Sequence, residues 1–347
     1  MLLFVGLGVE QSPTVGAVEL LKKCKRIFYE SYTSPVLEEG SLGRLSTMVS
    51  PVKVETLSRE SVEEGRKILE IAREDDVALV CSGDPMIATT HQELRTRALR
   101  AGIKTKVLHG SSILCAVTGE LGLHSYAFGK SVTMTREPMQ YTAYLTIFQN
   151  LLRGLHTAVL LEWDEKNQFF LSPNAAVGSL MEAEKDIKYG VVTDNTLLLV
   201  ASEIGTEASR VSSQPFESAP NFDYGKPPHI LVIPGRLHFT EKEALVALTG
   251  RPSEFFQDNS AGIERVAQKM LSKYSKKTLA ALERARAAAK EKGLTDYQSV
   301  FENVEAYTSD ALRFLNEGKE ELAVLSIGYA EGLLDSLRFS GILEFEW

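Results

Sequence analysis

Leu79-Val80-Cys81-Ser82-Gly83-Asp84-Pro85-Met86-Ile87-Ala88-Thr89-Thr90-His91 reads as a buried strand, a Gly-Asp-Pro corner and the start of a helix. Residues 77–80 are an unbroken apolar run of the length of a strand covered on both faces. Residues 92–101 carry helix formers with Leu94, Ala98 and Ala101 on one side. At the corner, Gly83 admits a backbone conformation closed to other residues, Asp84 supplies a carboxylate at the strand's end, and Pro85 fixes the exit. In open α/β sheets, strand ends of this kind form the ligand crevice.

The same grammar extends to either side. Residues 2–8 form a strand ending in Gly6-Leu7-Gly8, and residues 14–25 have helical spacing with Val15, Val18 and Leu21 along the apolar side. Read alone, Gly6-Leu7-Gly8 is a weak signal, because Gln11 stands where a dinucleotide fingerprint has its third glycine. Strands are expected at 26–30, 53–56 and 105–108, with a loop and helical turn at 41–48 and helices at 61–73 and 113–121. The third glycine-bearing strand end is His109-Gly110-Ser111-Ser112. Strands alternating with helices at this pitch predict a mostly parallel sheet covered on both faces.

From Lys130 the pattern becomes less regular. Strands at 131–134, 157–162, 196–202 and 229–233 mix with helices at 141–152 and 175–184, and residues 203–225 read as long polar loops, which together predict an α+β domain. Residues 249–262, with Gly250, Pro252, Asp258, Asn259 and Gly262, have the composition of a linker. Beyond it the chain turns helical. Residues 263–290 are rich in Ala, Lys, Glu and Arg; Tyr297, Val300, Val304, Tyr307 and Ala311 form one stripe, and Leu322, Leu325, Tyr329 and Leu333 another. Two or three antiparallel helices are predicted, with apolar stripes wide enough to seek a partner surface.

At 347 residues and 44% apolar, the chain is long enough for two or three domains with sizeable cores. A formal net charge of -8 without a Lys/Arg block argues against a general nucleic-acid binder. Cys24, Cys81 and Cys115 are far apart and odd in number, so they read as buried thiols of a reducing compartment, with neither a disulfide framework nor a zinc site. No apolar run of about 18 residues occurs, and the apolar start lacks a basic leader region, so a cytoplasmic protein without a membrane span is expected.

The three glycine-bearing strand ends share one sheet edge. Backbone N–H and C=O groups, small side chains and the single acid Asp84 suit an adenosine-type ligand; no Gly-Lys-Ser/Thr loop is present for a polyphosphate. From the residues alone the reading is a nucleoside- or cofactor-binding α/β protein. His91 reads as a cap or surface residue, His124 and His156 as ordering residues at the domain junction, and Ser111 and Ser112 as helix caps. His229, in an apolar strand after two prolines, is either a satisfied core histidine or a ligand contact. No catalytic triad or metal cluster is legible.

Residues 1–249 resemble the diphthine synthase branch of the tetrapyrrole-methylase-like methyltransferases. The matching stretches are Phe4-Val5-Gly6-Leu7-Gly8, the corner from Gly83 to Arg95, Gly122-Leu123-His124, Tyr126-Ala127-Phe128-Gly129-Lys130, Gly154-Leu155-His156-Thr157, and Pro227-Pro228-His229-Ile230 running on to His238. The resemblance implies an α/β enzyme of two domains, a parallel-sheet domain at 1–112 and an α+β domain at 113–249. It further implies a homodimer that uses S-adenosylmethionine to methylate the amino group of the aminocarboxypropyl-histidine of translation elongation factor 2, in diphthamide biosynthesis. The family's cofactor positions fall on Val9, Asp84, Ile87, Ser112, Ile113, Leu161, Ser202 and His229. No catalytic residue is carried over, and neither a metal, a nucleic acid nor a membrane is implied. Glu162 stands where the family usually has Asp. Residues 263–347 resemble a small archaeal helical domain of unknown function. The competing readings are a corrin-precursor C-methyltransferase and a non-catalytic, cofactor-sensing scaffold.

Overall fold

The computed structural model describes residues 1–35, 41–138 and 140–347. The chain divides into two compact units, Met1–Ile263 and Glu264–Trp347.

The first unit begins with a five-stranded parallel sheet of β1 (Leu2–Gly6), β2 (Arg26–Tyr29), β3 (Val54–Thr56), β4 (Val77–Cys81) and β5 (Thr105–Leu108), in the order β3-β2-β4-β1-β5. Strand alternation explains its two cores. Phe4, Phe28 and Leu79 bury on one face with Ile68 and Leu94, while Leu3, Val5, Ile27 and Val80 bury on the other with Leu21 and Leu45. The in-register pairing of Leu2 with Val77 through Gly6 with Cys81 brings the β1 and β4 exits to the same edge. The helix expected at 61–73 is two, Arg59–Glu64 and Arg66–Ala72, because Gly65 adopts φ 64° between them. A Cβ there would sit 2.5 Å from the Leu94 side chain, so the glycine also admits the helix His91–Arg100. Residues 41–48, expected as a loop and helical turn, form the helix Ser41–Met48 throughout.

The second sheet is mixed. It comprises β6 (Val132–Met134), β7 (Thr157–Leu161), β10 (Leu197–Ser202), β11 (Arg210–Pro215) and β12 (His229–Ile233), in the order β11-β10-β12-β7-β6, with only β6 and β7 parallel. The short ribbon of β8 (Trp163–Asp164) and β9 (Phe169–Phe170) follows β7. Strand β11 lies where polar loops were expected. Ser212, Ser213 and Gln214 are buried in it, so no apolar alternation marks it.

The expected linker at 249–262 is part of the first unit. Phe256 is buried in the core under the second sheet, and the Asn259 side chain accepts from the Leu197 N–H and donates to the carbonyls of Leu197 and Pro234. Its Gly/Pro composition reflects tight turns in a packed segment. Cys24 and Cys81 are buried as expected, but Cys115 is exposed, on the outer side of the helix Ile113–Glu120 whose inward residue is Val117.

The second unit consists of the helices Val266–Glu291, Gln298–Asn316 and Glu320–Phe339. In the last helix the buried residues are Ala323, Ser326, Ile327, Ala330, Leu334 and Leu337, while Leu322, Leu325 and Tyr329 are exposed, one position off the expected inward stripe. Ala323, Ser326 and Ala330 on the inner face let the helices approach closely, between the larger Ile327, Leu334 and Leu337. Among the described residues no helix is long and apolar enough to cross a membrane.

Candidate functional site

Three strand exits of the parallel sheet interlock through their glycines. Gly8 and Gly83 exchange backbone hydrogen bonds, with Gly8 N to Gly83 O at 3.1 Å and Gly83 N to Gly8 O at 3.0 Å. A Cβ on Gly6 would lie 2.3 Å from the Gly83 carbonyl, and one on Gly110 2.4 Å from it. These two glycines therefore serve backbone-to-backbone packing. Gly83 differs: its φ is 65°, and an added Cβ would meet nothing closer than 3.9 Å. Its freedom is conformational, as the corner requires.

The edge opens onto a cavity of about 570 Å³ between the two sheets. Of the eight positions implied by resemblance, Val9, Asp84, Ile87, Ser112, Ile113, Leu161 and His229 line it. Ser202 does not. It is buried, pairs with His229 across β10 and β12, and its hydroxyl donates to the Tyr224 carbonyl at 2.7 Å.

The polar groups of the cavity are held from behind. Asp84 Oδ1 accepts from the Met86 N–H at 2.8 Å, which is the turn role expected of it, and Oδ2 lies 2.7 Å from His109 Nδ1. Ser112 caps its helix by accepting from Leu114 N at 3.2 Å, and Ser111 Oγ accepts from Val9 N at 3.0 Å, tying the first and third exits together. Glu162 accepts from the Arg136 backbone N–H at 2.7 Å and from its guanidinium, and those bonds hold its carboxyl below the usual range. The Trp163 indole donates to the Ser31 carbonyl at 3.0 Å and stacks on Phe170, so the β8–β9 ribbon closes against the first sheet.

Two lining residues carry polar atoms without protein partners among the described residues. The ring nitrogens of His229 are buried and make no well-formed hydrogen bond, though the Tyr224 and Gly225 backbone lies near the ring, and burial lowers its pKa, so the imidazole is neutral at pH 7. The Gln11 amide donates to Ser82 Oγ and the Pro35 carbonyl, leaving Oε1 buried and unpartnered. Sequence reasoning passed over Gln11, Tyr32 and Arg59, which also line the cavity. For Gln11 a signal existed. It occupies the position of the missing glycine, and its φ is 52°. Arg59 is the one Lys or Arg among the described lining residues, so the cavity offers little to a polyphosphate.

His91 is neither a surface residue nor a side-chain cap. It is 1% exposed, and its Nδ1 lies 3.0 Å from the Pro85 carbonyl. The corner folds back over the helix start and covers the ring.

Residues 1–219 match the family of Tetrapyrrole (Corrin/Porphyrin) Methylases, and residues 273–343 match a family described as Protein of unknown function (DUF357). The chain is 39% identical over 268 residues to the diphthine synthase of Methanosarcina mazei, spanning 74% of this chain and 99% of that protein. It is 34% identical over 265 residues to the diphthine synthase of Methanosphaera stadtmanae, with the same coverage. A crystal structure of diphthine synthase superposes with a TM-score of 0.65 at 30% identity, covering 73% of this chain and 98% of that one. A conserved hypothetical protein of Aeropyrum pernix K1 superposes at 0.69 and 28% identity, covering 78% and 97%.

Proposed function

The chain belongs to the tetrapyrrole methylase family and, within it, to the diphthine synthases, and from that membership we propose how its cavity serves an S-adenosylmethionine-dependent methyltransferase of diphthamide biosynthesis. The acceptor in this reading is the amino group of the aminocarboxypropyl-modified histidine of translation elongation factor 2. A corrin-type C-methyltransferase is disfavoured by the 39% identity to a diphthine synthase over nearly its whole length.

The observation that carries the cofactor assignment is the convergence of Val9, Asp84, Ile87, Ser112, Ile113, Leu161 and His229 on one cavity of about 570 Å³. The fit is chemical as well as spatial. That volume lies in the usual range for a cofactor site, of roughly 300–1,000 Å³. Val9, Ile87, Ile113 and Leu161 provide apolar walls for a purine, and Gln11 Oε1 and the His229 ring nitrogens offer unused hydrogen-bonding capacity. Asp84, buried at the corner, is the acid of the lining placed toward a ligand that carries a positive charge, since Glu162 is paired with Arg136. Ser202 belongs to the assignment only as the buried neighbour that steadies His229.

S-adenosylmethionine supplies an activated methyl group when bound. The chain's contribution is then chiefly placement, since aligning an acceptor amine at about 3–3.5 Å from a reactive carbon recovers most of the entropic barrier. The apolar walls exclude water from that encounter. Tyr32 stays protonated at neutral pH, because burial pushes its hydroxyl up to about 12, so it acts as a hydrogen-bond donor or acceptor and not as an anion.

In this reading the two sheets act as domains at 1–112 and 113–249 that hold the cofactor between them, the helices at 263–347 form a third domain outside the enzyme core, and the protein works as a cytoplasmic homodimer. Calorimetric titration with S-adenosylmethionine tests the cofactor assignment: one site per subunit is expected, and a folded protein that binds neither it nor its demethylated product would remove the assignment.

A further inference from the structure

Behind the cavity wall, Glu30 and His91 meet in a closed compartment that the reading above leaves unused. Both side chains have no exposed surface, and Glu30 Oε1 lies 3.4 Å from His91 Nε2. The tautomer follows from the other ring nitrogen. A carbonyl can only accept, so the contact with Pro85 O assigns the proton to Nδ1 and leaves a lone pair on Nε2. A carboxylate facing that lone pair would be two acceptors pressed together. Among the described residues Nε2 is buried without a hydrogen-bond partner, and at 3.4 Å the Glu30 carboxyl is the group placed to serve it: as a carboxylic acid it can turn its O–H toward Nε2 while its oxygens still accept from the Thr33 N–H and hydroxyl. The two residues reach two adjoining segments of the lining, which also meet where the Tyr32 and Thr90 hydroxyls lie 3.2 Å apart: His91 holds the Pro85 carbonyl of the Gly83-Asp84-Pro85 corner, and Glu30 holds Thr33 beside Tyr32.

We propose that Glu30 and His91 are positioning residues, joined through one shared proton into a clasp that fixes the Asp84–Thr90 corner against the Tyr32–Pro35 segment, and that the clasp loosens when Glu30 loses that proton. The proposal deepens the cofactor reading and rests on it for the identity of the ligand. The groups that face Glu30 are Tyr29 and Tyr32 of its own segment, Cys81 at the end of β4, His91, and Glu165 from the β8–β9 turn. None of them is a cation at neutral pH. Burial pushes the carboxyl up to about 7, and burial pushes the imidazole down to about 4, so at pH 6 the acid is protonated and the imidazole neutral. Cys81, close to both, has its thiol pushed well above the ordinary range by burial.

The sign of the pH effect is fixed by the raised carboxyl. The folded protein holds its proton up to about pH 7, whereas the unfolded chain releases it near the ordinary carboxyl range of about 4.3, so the clasp is intact below pH 7 and opposed above it. Glu30→Gln reproduces the acid's pattern, an N–H for His91 and an oxygen for Thr33, but cannot titrate. Titration with S-adenosylmethionine at pH 6 and pH 8.5 should show wild-type affinity falling severalfold more than that of Glu30→Gln, with the two proteins alike at pH 6. Equal pH dependence in both proteins would overturn the clasp. So would a Glu30→Gln protein as impaired at pH 6 as Glu30→Ala. Thermal unfolding from pH 4 to pH 8.5 separates this proposal from the cofactor reading. If neither protein binds the cofactor, the clasp still requires the melting temperature of the wild type to fall between about pH 4.3 and pH 7 relative to Glu30→Gln and to level off above it, and curves parallel across that window would contradict it.

Discussion

His156 donates from Nε2 to Glu241 Oε1 at 3.1 Å, and both side chains are buried. The direction is fixed because the Gly235 N–H donates to His156 Nδ1 at 2.9 Å, which leaves the ring proton on Nε2. Glu241 also accepts from the backbone N–H groups of His124 and His238, each at 2.7 Å, and so closes the capping box of the helix Phe239–Thr249. One carboxylate thus joins the Gly122-Leu123-His124 stretch, the start of β7 and the helix after β12.

Glu241 gives the first prediction. Burial works to raise its pKa, but the bonds from His124, His238 and His156 outweigh burial and leave it below the usual range. Stability from this group is therefore fully present above about pH 4.3 and is lost as pH falls through the lower folded value. Glu241→Gln turns one acceptor oxygen into a donor facing N–H groups and should cost about 1–3 kcal/mol at neutral pH. Urea unfolding measures it. A substitution without effect on the midpoint would remove Glu241 as a junction group.

Gly6 and Gly83 should respond differently to alanine. At Gly83 the cost is one left-handed residue, about 1–2 kcal/mol, because space exists for the Cβ. At Gly6 the Cβ would strike the Gly83 carbonyl at 2.3 Å, so the interlocked exits must separate and Gly6→Ala should be the more damaging in both melting temperature and cofactor affinity. Equal effects would show that the backbone contact does not limit the site.

Asp84→Ala should weaken S-adenosylmethionine binding about tenfold, from loss of charge-assisted hydrogen bonding, while the chain stays folded. The turn is the competing demand on this carboxylate, since Oδ1 already accepts from Met86 N. Comparing the affinity with the melting temperature separates the two: a lower melting temperature with unchanged affinity would assign Asp84 to the turn alone.

Truncation tests the helical unit. Ending the chain after Ile263 should preserve methyl transfer, whereas ending it after Gly250 removes Phe256 and Asn259 from the core beneath the second sheet and should destabilise the enzyme. Leu322, Leu325 and Tyr329 stay exposed on the helices and make association the expected role of that unit. Solution mass of the full chain against the 1–263 protein reads this out. A folded 1–263 protein without activity would place the helices in the active site.

The centre of the parallel sheet was legible because β1 and β4 are apolar on both faces and run into glycine corners, at Gly6 and at Gly83. Strand β11 was not, since its buried residues are the polar Ser212, Ser213 and Gln214, which leave no hydrophobic signature. The last helix misled by one register: Leu322, Leu325 and Tyr329 look like a core stripe, but the interior accepts Ala323 and Ala330. In the cavity, the resemblance named seven lining residues, whereas Tyr32 and the Glu30–His91 compartment depend on side chains meeting across loops distant in sequence. Spacing along a chain does not encode such encounters.

The central claim is tested most directly by incubating the protein with isotopically labelled S-adenosylmethionine and an archaeal elongation factor 2 that carries the unmethylated aminocarboxypropyl-histidine, then locating the label by peptide mass spectrometry. The account predicts methyl groups on the amino nitrogen of that side chain. A protein that binds the cofactor yet leaves this residue unlabelled, or that labels a different one, would contradict it.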